Sequence, residues 1–300
     1  MDKIGGSQDK SNDASELLCT VVSRPFPETT LSHRVKKMSD KYGRIWFEGN
    51  PWPGGHTIET ARLAVHIVEN VDDVPNAIGA QFQLSIESME YADEPTEEVA
   101  DIGEDEEEVS WSSRGEWEAH TRCRINGTDV VIGSEKEPFA LSRFENWDVK
   151  FDEGMTELSE DMDIEEDLTF ICYVLGHDAV ADHALQFRAT PGRANHFDID
   201  WTGAVALAYS GEYEFEYRFR AELRGTPFER IQGADPQVIR YQKDYPEMEK
   251  NSEWYDRRQD MTLEERERTL WEQARSCLDF DPESFEFHAG EYRDWLAPKA

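Results

Sequence analysis

A sustained alternation of apolar and charged residues marks the segment from His196 to Leu223. In its second half the apolar positions are Tyr213, Phe215, Tyr217, Phe219, Ala221 and Leu223, and the intervening positions are Glu212, Glu214, Glu216, Arg218, Arg220 and Glu222. Successive side chains of a β-strand point to opposite faces, so this period is typical of a strand with one face on a core and the other in water. The pattern predicts an antiparallel strand.

The first half of the same segment predicts the partner of that strand. Ile199, Trp201, Val205 and Leu207 recur at alternate positions, and Gly203 lies where a β-bulge would keep the large residues on the core side. Ser210-Gly211 supplies a turn signal between the two halves. We therefore predict a β-hairpin with a bulge at Gly203.

Similar strand signals recur along most of the chain and decide the predicted fold class. We expect a mainly β protein, with a two-sheet antiparallel sandwich or jelly-roll-like body and a C-terminal helical segment. The predicted organisation is an N-terminal tail and edge strand over residues 1–40, a body over 41–232 and a helical cap over 233–300. Within the body, residues 41–150 and 168–232 form two halves that are candidates for an internal repeat.

The repeat hypothesis depends on two short correspondences. Gly115-Glu116-Trp117-Glu118 aligns with Gly211-Glu212-Tyr213-Glu214, and Pro53-Gly54 aligns with Pro191-Gly192. In the first half, Trp111 to Ile125 and Asp129 to Ile132 are interpreted as a second hairpin around Asn126-Gly127. The alternative is that amphipathic hairpins resemble each other because they obey the same pattern.

Helical spacing appears near the C-terminal end of the sequence. From Met261 to Leu278, the residues Leu263, Leu270, Trp271, Ala274 and Leu278 recur at helical intervals. Thr262 is followed three residues later by Glu265, which is the pattern of a capping box. We predict a helix that begins at Thr262.

The net charge of −34, from 65 acidic and 31 basic residues, narrows the classes of partner. A protein with this charge repels nucleic acids and anionic membranes, and we predict that it binds neither. The acidic surface either maintains solubility or faces a protein partner, which would then be basic. It also resembles the surface of proteins adapted to high salt.

Cysteine spacing and the N-terminal sequence indicate a cytoplasmic protein. Cys19, Cys123, Cys172 and Cys277 are widely spaced and form no CxxC pair, so they do not predict a zinc site. The first residues lack the apolar stretch of a signal peptide, and no apolar run reaches the length of a membrane helix. We expect reduced thiols, most of them buried.

His196, Asp198 and Asp200 project from one face of the predicted strand and are the best candidates for chemistry. The His-x-Asp arrangement resembles the iron-binding motif of the double-stranded β-helix oxygenases, in which a distal histidine completes the site. That resemblance implies a metal-dependent enzyme that binds Fe(II) or another divalent metal through His196, Asp198 and His288. The alternative is that these residues form the solvated face of the strand.

Tryptophans offer a different hypothesis. Trp46, Trp52 and Trp111, with Trp117 and Trp201, are candidates for an aromatic surface that stacks on sugars, as in a carbohydrate-binding β-sandwich. The alternative is that they belong to the core. The sequence shows no nucleophile motif and no phosphate-binding loop. We therefore favour a non-enzymatic binding or protein-interaction protein without a cofactor, such as an immunity-type inhibitor or a scaffold, over the metal enzyme and the carbohydrate-binding protein.

Overall fold

The structure is a computed structural model that describes residues 41–69, 74, 77–94, 110–127, 130–159, 161–241 and 252–299. Within these ranges only the backbone is described at 165–166, 237–241 and 252–255. Residues Ser39–Ala300 form one compact unit. The predicted tail and edge strand over 1–40 lie outside the described residues.

The protein is mainly β, as the alternation of its sequence predicts. The strands are β1 (Gly43–Phe47), β2 (His56–Glu69), β3 (Ile78–Ser88), β4 (Arg124–Gly127), β5 (Val131–Ser134), β6 (Phe139–Ala140), β7 (Asn146–Phe151), β8 (Phe170–Tyr173), β9 (His177–Ala189), β10 (His196–Ala206), β11 (Tyr217–Gln232), β12 (Gln237–Tyr241), β13 (Ser252–Asp256), β14 (Leu278–Asp279), β15 (Phe285–His288) and β16 (Trp295–Pro298).

Twelve of these strands form one sheet. Its order is β1-β2-β3-β4-β8-β9-β10-β11-β16-β15, with β5 added to β3 and β7 added to β9. The order closes on itself because β1 also pairs with β11. Pairing is antiparallel throughout this sheet except between β2 and β11, which run parallel. The predicted antiparallel β body is confirmed.

The large sheet folds over so that its two sides enclose the core. The ring of Phe82 on β3 lies 5.8 Å from the ring of Phe187 on β9, although β4 and β8 separate these strands in the sheet order. Side chains of the core include Trp117 and Trp201, which are fully buried. The body is therefore sandwich-like, with two facing layers that belong to one sheet.

Strands β10 and β11 confirm the predicted pairing. They pair antiparallel, and Trp201 opposes Ala221. The predicted bulge at Gly203 is wrong: Gly203 pairs with Phe219 in regular register, and the bulge lies on the neighbouring strand β9, where Asp182 and His183 oppose Gly203. A side chain at Gly203 would meet the rings of Phe219 and His183 at 2.5 and 2.8 Å, so only glycine fits there.

The connection between β10 and β11 is longer than the predicted turn. A 3₁₀ segment at Ala208–Ser210 and a left-handed Gly211 (φ 84°) lead into an irregular stretch, and β11 begins at Tyr217. Tyr213 is half exposed and not part of the strand. The prediction placed the strand start too early because the residues around Glu214 pair only through an isolated bridge to Glu157, and not with β1 or β10.

The predicted hairpin around Asn126-Gly127 is wrong. Arg114–Ala119 is a helix, α1, in which Ser113 accepts the N-cap hydrogen bond from the Glu116 N–H. Strands β4 and β5 do not pair with each other, because both pair with β3. Gly115 and Trp117 therefore lie in a helix, whereas Gly211 and Tyr213 do not. The internal repeat stays a prediction, and the different structures of these two aligned segments do not favour it.

The helices are α1, α2 (Ile164–Asp167) and α3 (Leu263–Cys277). Helix α3 confirms the predicted capping box: the Glu265 N–H donates to Thr262 Oγ1 and the Thr262 N–H donates to Glu265 Oε2. Leu270 and Ala274 are its buried positions. The C-terminal segment also contributes strands, since β16 pairs with β11. No helix of the described residues is long and apolar enough to cross a membrane.

Candidate functional site

Asp198, a candidate metal ligand, fixes the turn between β9 and β10. Its Oδ1 accepts hydrogen bonds from Thr190 Oγ1 and from the Gly225 N–H, both at 2.8 Å. The carboxylate therefore joins the two ends of the turn to the neighbouring strand β11. His196 lies at the start of β10, where its Nδ1 donates to the Ala194 carbonyl at 2.7 Å.

His288, the third candidate ligand, has other neighbours. It lies on β15, its ring stacks on Trp295 with centroids 5.5 Å apart, and its Nε2 lies 3.2 Å from Glu286 Oε1. In the part of the chain that the structure describes, no three His, Cys, Asp or Glu side chains are grouped as a metal site. The metal site of His196, Asp198 and His288 stays a prediction that these contacts do not favour.

The proposed aromatic surface is not a surface. Trp52 and Trp111 are buried in the core, where Trp52 packs on His56 and Trp111 stacks on Tyr217. Only Trp46 is partly exposed, and Arg220 lies over its ring at 4.3 Å. The buried tryptophans lie on the apolar faces of their strands and of the connecting segments, so their role is to pack in the core. Trp46, Trp52 and Trp111 therefore do not form an exposed platform for sugar stacking.

A pocket of about 420 Å³ opens at one end of the sheet. It lies between the 3₁₀ segment Leu141–Glu145, the turn that joins β9 to β10, and the segment 279–285 that leads into β15. Five rings line it: Phe144, Phe197, Phe228, Phe280 and Phe285. We call it the phenylalanine pocket. Its size suits one large apolar group, since ligand pockets commonly start near 300 Å³.

The five rings form a continuous apolar lining. Phe144 contacts Phe197 and Phe228 at centroid distances of 5.8 and 6.1 Å. Phe285 contacts Phe228 at 6.3 Å and Phe280 at 5.3 Å, in both cases edge to face. Each ring is held by another ring, so the lining is formed before any ligand binds.

The rim of the phenylalanine pocket is polar and net acidic, with three carboxylates and one guanidinium, that of Arg193. Its polar residues are Ser142, Glu145, Arg193, Asn195, His196, Asp279, Asp281 and Ser284. Asp281 is committed to its own segment, because it accepts hydrogen bonds from the Glu283 N–H and from Ser284 Oγ. Glu145 and Asp279 are exposed, and among the described residues neither has a cationic partner. The rim therefore offers two available carboxylates.

The turn between β9 and β10 forms a rigid wall of this pocket. Asn195 adopts the left-handed conformation (φ 54°), and its carbonyl accepts a hydrogen bond from the Phe228 N–H at 2.8 Å. Gly225, also left-handed, faces the guanidinium of Arg193, where a side chain would approach Nη1 to 2.5 Å. Asp198 adds the two hydrogen bonds described above. Asparagine and glycine adopt the left-handed conformation at little cost. The hydrogen bonds of Asn195 and Asp198 then hold the turn in one shape.

A second pocket of about 400 Å³ lies over Gly203 and the β9 bulge at Asp182 and His183. Its charged residues are Lys150, Asp182 and Arg218. Arg218 donates to Asp182 at 2.5 Å, and Lys150 pairs with Glu153. Both cations already have carboxylate partners, so this pocket offers less unpaired charge than the phenylalanine pocket.

Titratable groups with the largest shifts lie in the core. Burial, with a smaller effect of Arg44, lowers the pKa of His56 to about 3. Burial also lowers the pKa of His183 to about 3, and Trp201 Nε1 donates to its Nδ1 at 3.2 Å, which leaves the proton on Nε2. Both rings are neutral and packed among aromatic residues. They contribute to packing and lie outside the phenylalanine pocket.

Sequence reasoning identified only His196 among the residues of this pocket. The phenylalanines come from segments near residues 144, 197, 228 and 280–285, and each has the ordinary pattern of a core residue. Their shared exposure to one cavity arises only when β10, β11 and the segment before β15 meet. Comparison of the chain with protein-family models, with curated proteins and with solved structures finds no match.

Proposed function

We propose that this protein is a non-enzymatic binding protein whose phenylalanine pocket takes an apolar side chain of a basic protein partner. The observation that carries the proposal is the preformed lining of five aromatic rings beneath an acidic rim. A large apolar anchor in a desolvated pocket is the usual source of affinity in a protein interface. The rim supplies specificity for residues next to that anchor.

Charge supports a basic partner. Glu145 and Asp279 are exposed at the rim without a cationic partner in the described part of the chain. The net charge of −34 adds a long-range attraction for cations and a repulsion for anions. A segment with Lys or Arg beside an apolar residue satisfies both requirements. A purely apolar segment satisfies only the requirement of the pocket. An acidic segment does not satisfy the requirement of charge.

The lining residues also explain why binding is favoured over catalysis. His196 Nδ1 is engaged with the Ala194 carbonyl, and Ser284 Oγ donates to Asp281. The described lining residues include no cysteine or lysine. Activated nucleophiles commonly pair with a histidine or an amine base, whereas the Ser284 hydroxyl pairs with the carboxylate of Asp281, which the Glu283 N–H also holds.

Selection of peptides from a random displayed library on the immobilised protein tests the proposal. We expect the recovered peptides to carry an aromatic or large aliphatic residue beside Lys or Arg. Fluorescence polarisation then measures their affinity for Glu145→Lys and Asp279→Lys. We expect each reversal to weaken binding by about tenfold, which corresponds to about 1.4 kcal/mol.

Glu135→Lys is the matched control, because Glu135 is exposed and lies outside the pocket lining. It changes the net charge by the same amount and should weaken binding only slightly. Equal losses in all three variants would mean that binding follows net charge alone. Recovery of no peptide, or of peptides without an apolar residue, would also contradict the proposal.

A further inference from the structure

Strand β15 ends the large sheet next to the phenylalanine pocket. It pairs with β16 on one side, and no described strand pairs with it on the other. Ser284 and Phe285, at its start, line the pocket. The unpaired side of β15, which we call the open edge, therefore adjoins the pocket.

The pairing with β16 shows which backbone groups face the open edge. The Lys299 N–H donates to the Ser284 carbonyl at 2.8 Å, so the backbone groups of Ser284 face β16. Phe285 opposes Pro298, which has no N–H to donate. Consecutive residues of a strand direct their backbone groups to alternate sides. The backbone groups of Phe285 and Phe287 therefore face the open edge. The Phe285 N–H already donates to the Pro282 carbonyl, so the groups left for a pairing strand are the Phe285 C=O and the N–H and C=O of Phe287.

The open edge lacks the usual protection of an exposed strand. Natural sheet edges are commonly guarded by lysine or proline, which prevent another chain from pairing. The sequence of β15, Phe-Glu-Phe-His, contains neither. Glu286 in this strand is exposed, and its negative charge is opposite to that of a basic partner. An extended basic segment is the occupant that this edge suits.

We propose that the partner bound at the phenylalanine pocket is an extended basic segment that adds a strand to the open edge of β15. One apolar side chain of the segment enters the pocket, and a Lys or Arg at an adjacent position lies on the opposite face of the added strand, beside Glu286. Main-chain hydrogen bonds to the Phe285 carbonyl and to the N–H and C=O of Phe287 supply affinity, and the pocket supplies specificity. This inference rests on the proposed function, because it describes how the same partner binds.

Methylation of single backbone amides in a peptide recovered by the selection described above tests the inference. N-methylation removes one N–H and leaves the side chain and the charge unchanged. For a peptide paired with β15, we expect affinity to fall at least about tenfold at alternate positions near the apolar residue, with small effects at the positions between them. Glu286→Lys should also weaken binding, with Glu135→Lys as the control of equal charge.

The outcomes separate the two proposals. A peptide that loses affinity when Ala189, an exposed lining residue, is changed to Arg, but shows no alternate pattern of methylation effects, binds the pocket without pairing. That result overturns the strand addition and leaves the proposed function standing. A peptide that binds the Ala189→Arg variant as well as the wild type does not use the pocket, and that result overturns both.

Discussion

Single residues illustrate how far local patterns determine burial. Phe219 is 3% exposed and its ring contacts Phe47 and Trp201, whereas Tyr213, in the same alternating series, is 52% exposed. The alternation predicted both as core residues. Within β11 the pattern is correct, because pairing strands on both sides hold the side chains against the core. Before Tyr217 it is correct for Phe215, which is 6% exposed, but not for Tyr213.

Replacement of Phe219 with Ala should therefore destabilise the protein by about 3 to 5 kcal/mol, the range found when a buried aromatic side chain is truncated. Tyr213→Ala should change the free energy of unfolding by less than about 0.5 kcal/mol, as for an exposed site. Urea denaturation followed by tryptophan fluorescence measures both. Similar losses in the two variants would contradict the assigned start of β11.

At the scale of elements, the sequence predicted those features whose causes are local. The pairing of β10 with β11 and the capping box of α3 each depend on residues close in sequence, whereas the bulge falls on β9 and not at Gly203. Helix α1 was missed because the segment from Trp111 to Ile125 has strand-forming aromatics, while the N-cap of Ser113 and the burial of Trp117 favour a helix. Which strands join β3 depends on distant segments, so no local pattern specified it.

The turn between β9 and β10 is the element that connects the sequence prediction to the pocket. His196 and Asp198 stand out in the sequence because of their chemistry, but the structure uses Asp198 to hold the pocket wall. The phenylalanine lining could not be predicted, since its members are separated by up to 141 residues from Phe144 to Phe285. The sequence indicated His196 and Asp198 by their residue types, but it did not indicate the phenylalanine pocket.

Substitution of Asp198 distinguishes its role in the wall of the phenylalanine pocket from the hypothesis that it binds a metal. Asp198→Ala leaves the Gly225 N–H and the Thr190 hydroxyl without their acceptor, and we expect a loss of about 1 to 3 kcal/mol. Asp198→Asn retains an acceptor oxygen and should melt close to the wild type, with or without added Fe(II) or Mn(II). Thermal denaturation measures these effects. Metal-induced stabilisation that is present in the wild type and lost in Asp198→Asn would contradict this assignment.

For the whole molecule, three histidines with lowered pKa values contribute to the dependence of stability on pH. Burial lowers the pKa of His56 and His183 to about 3, and burial together with Arg293 and Arg230 lowers the pKa of His66 to about 4. The unfolded chain binds these protons near pH 6.5, whereas the folded chain does not. Their contribution to stability is complete above pH 6.5 and is lost as the pH falls towards the folded values.

We therefore expect the free energy of unfolding to decrease between pH 6.5 and 5, with a slope of up to about 1.4 kcal/mol per pH unit for each of the three histidines. His66→Asn removes one of these groups and should reduce the slope by about one third. Denaturant titrations at half-unit intervals of pH give the slope. A free energy that does not change over this interval, or a slope unaffected in His66→Asn, would contradict the assignment.

The proposed function combines the acidic surface with the phenylalanine pocket. In that proposal the net charge attracts a basic segment, and the pocket selects an apolar anchor within it. Ala189 is exposed in the lining, so Ala189→Arg adds bulk and positive charge at the mouth of the pocket without removing a core contact. Its melting temperature should equal that of the wild type.

The most direct test is the affinity of one selected peptide for the wild type, for Ala189→Arg and for the control Glu135→Lys, measured by fluorescence polarisation at physiological salt. We predict that Ala189→Arg loses at least about a hundredfold in affinity, or about 2.7 kcal/mol, while Glu135→Lys stays within about twofold of the wild type. If the folded Ala189→Arg protein bound the peptide as tightly as the control did, the phenylalanine pocket would not be the binding site.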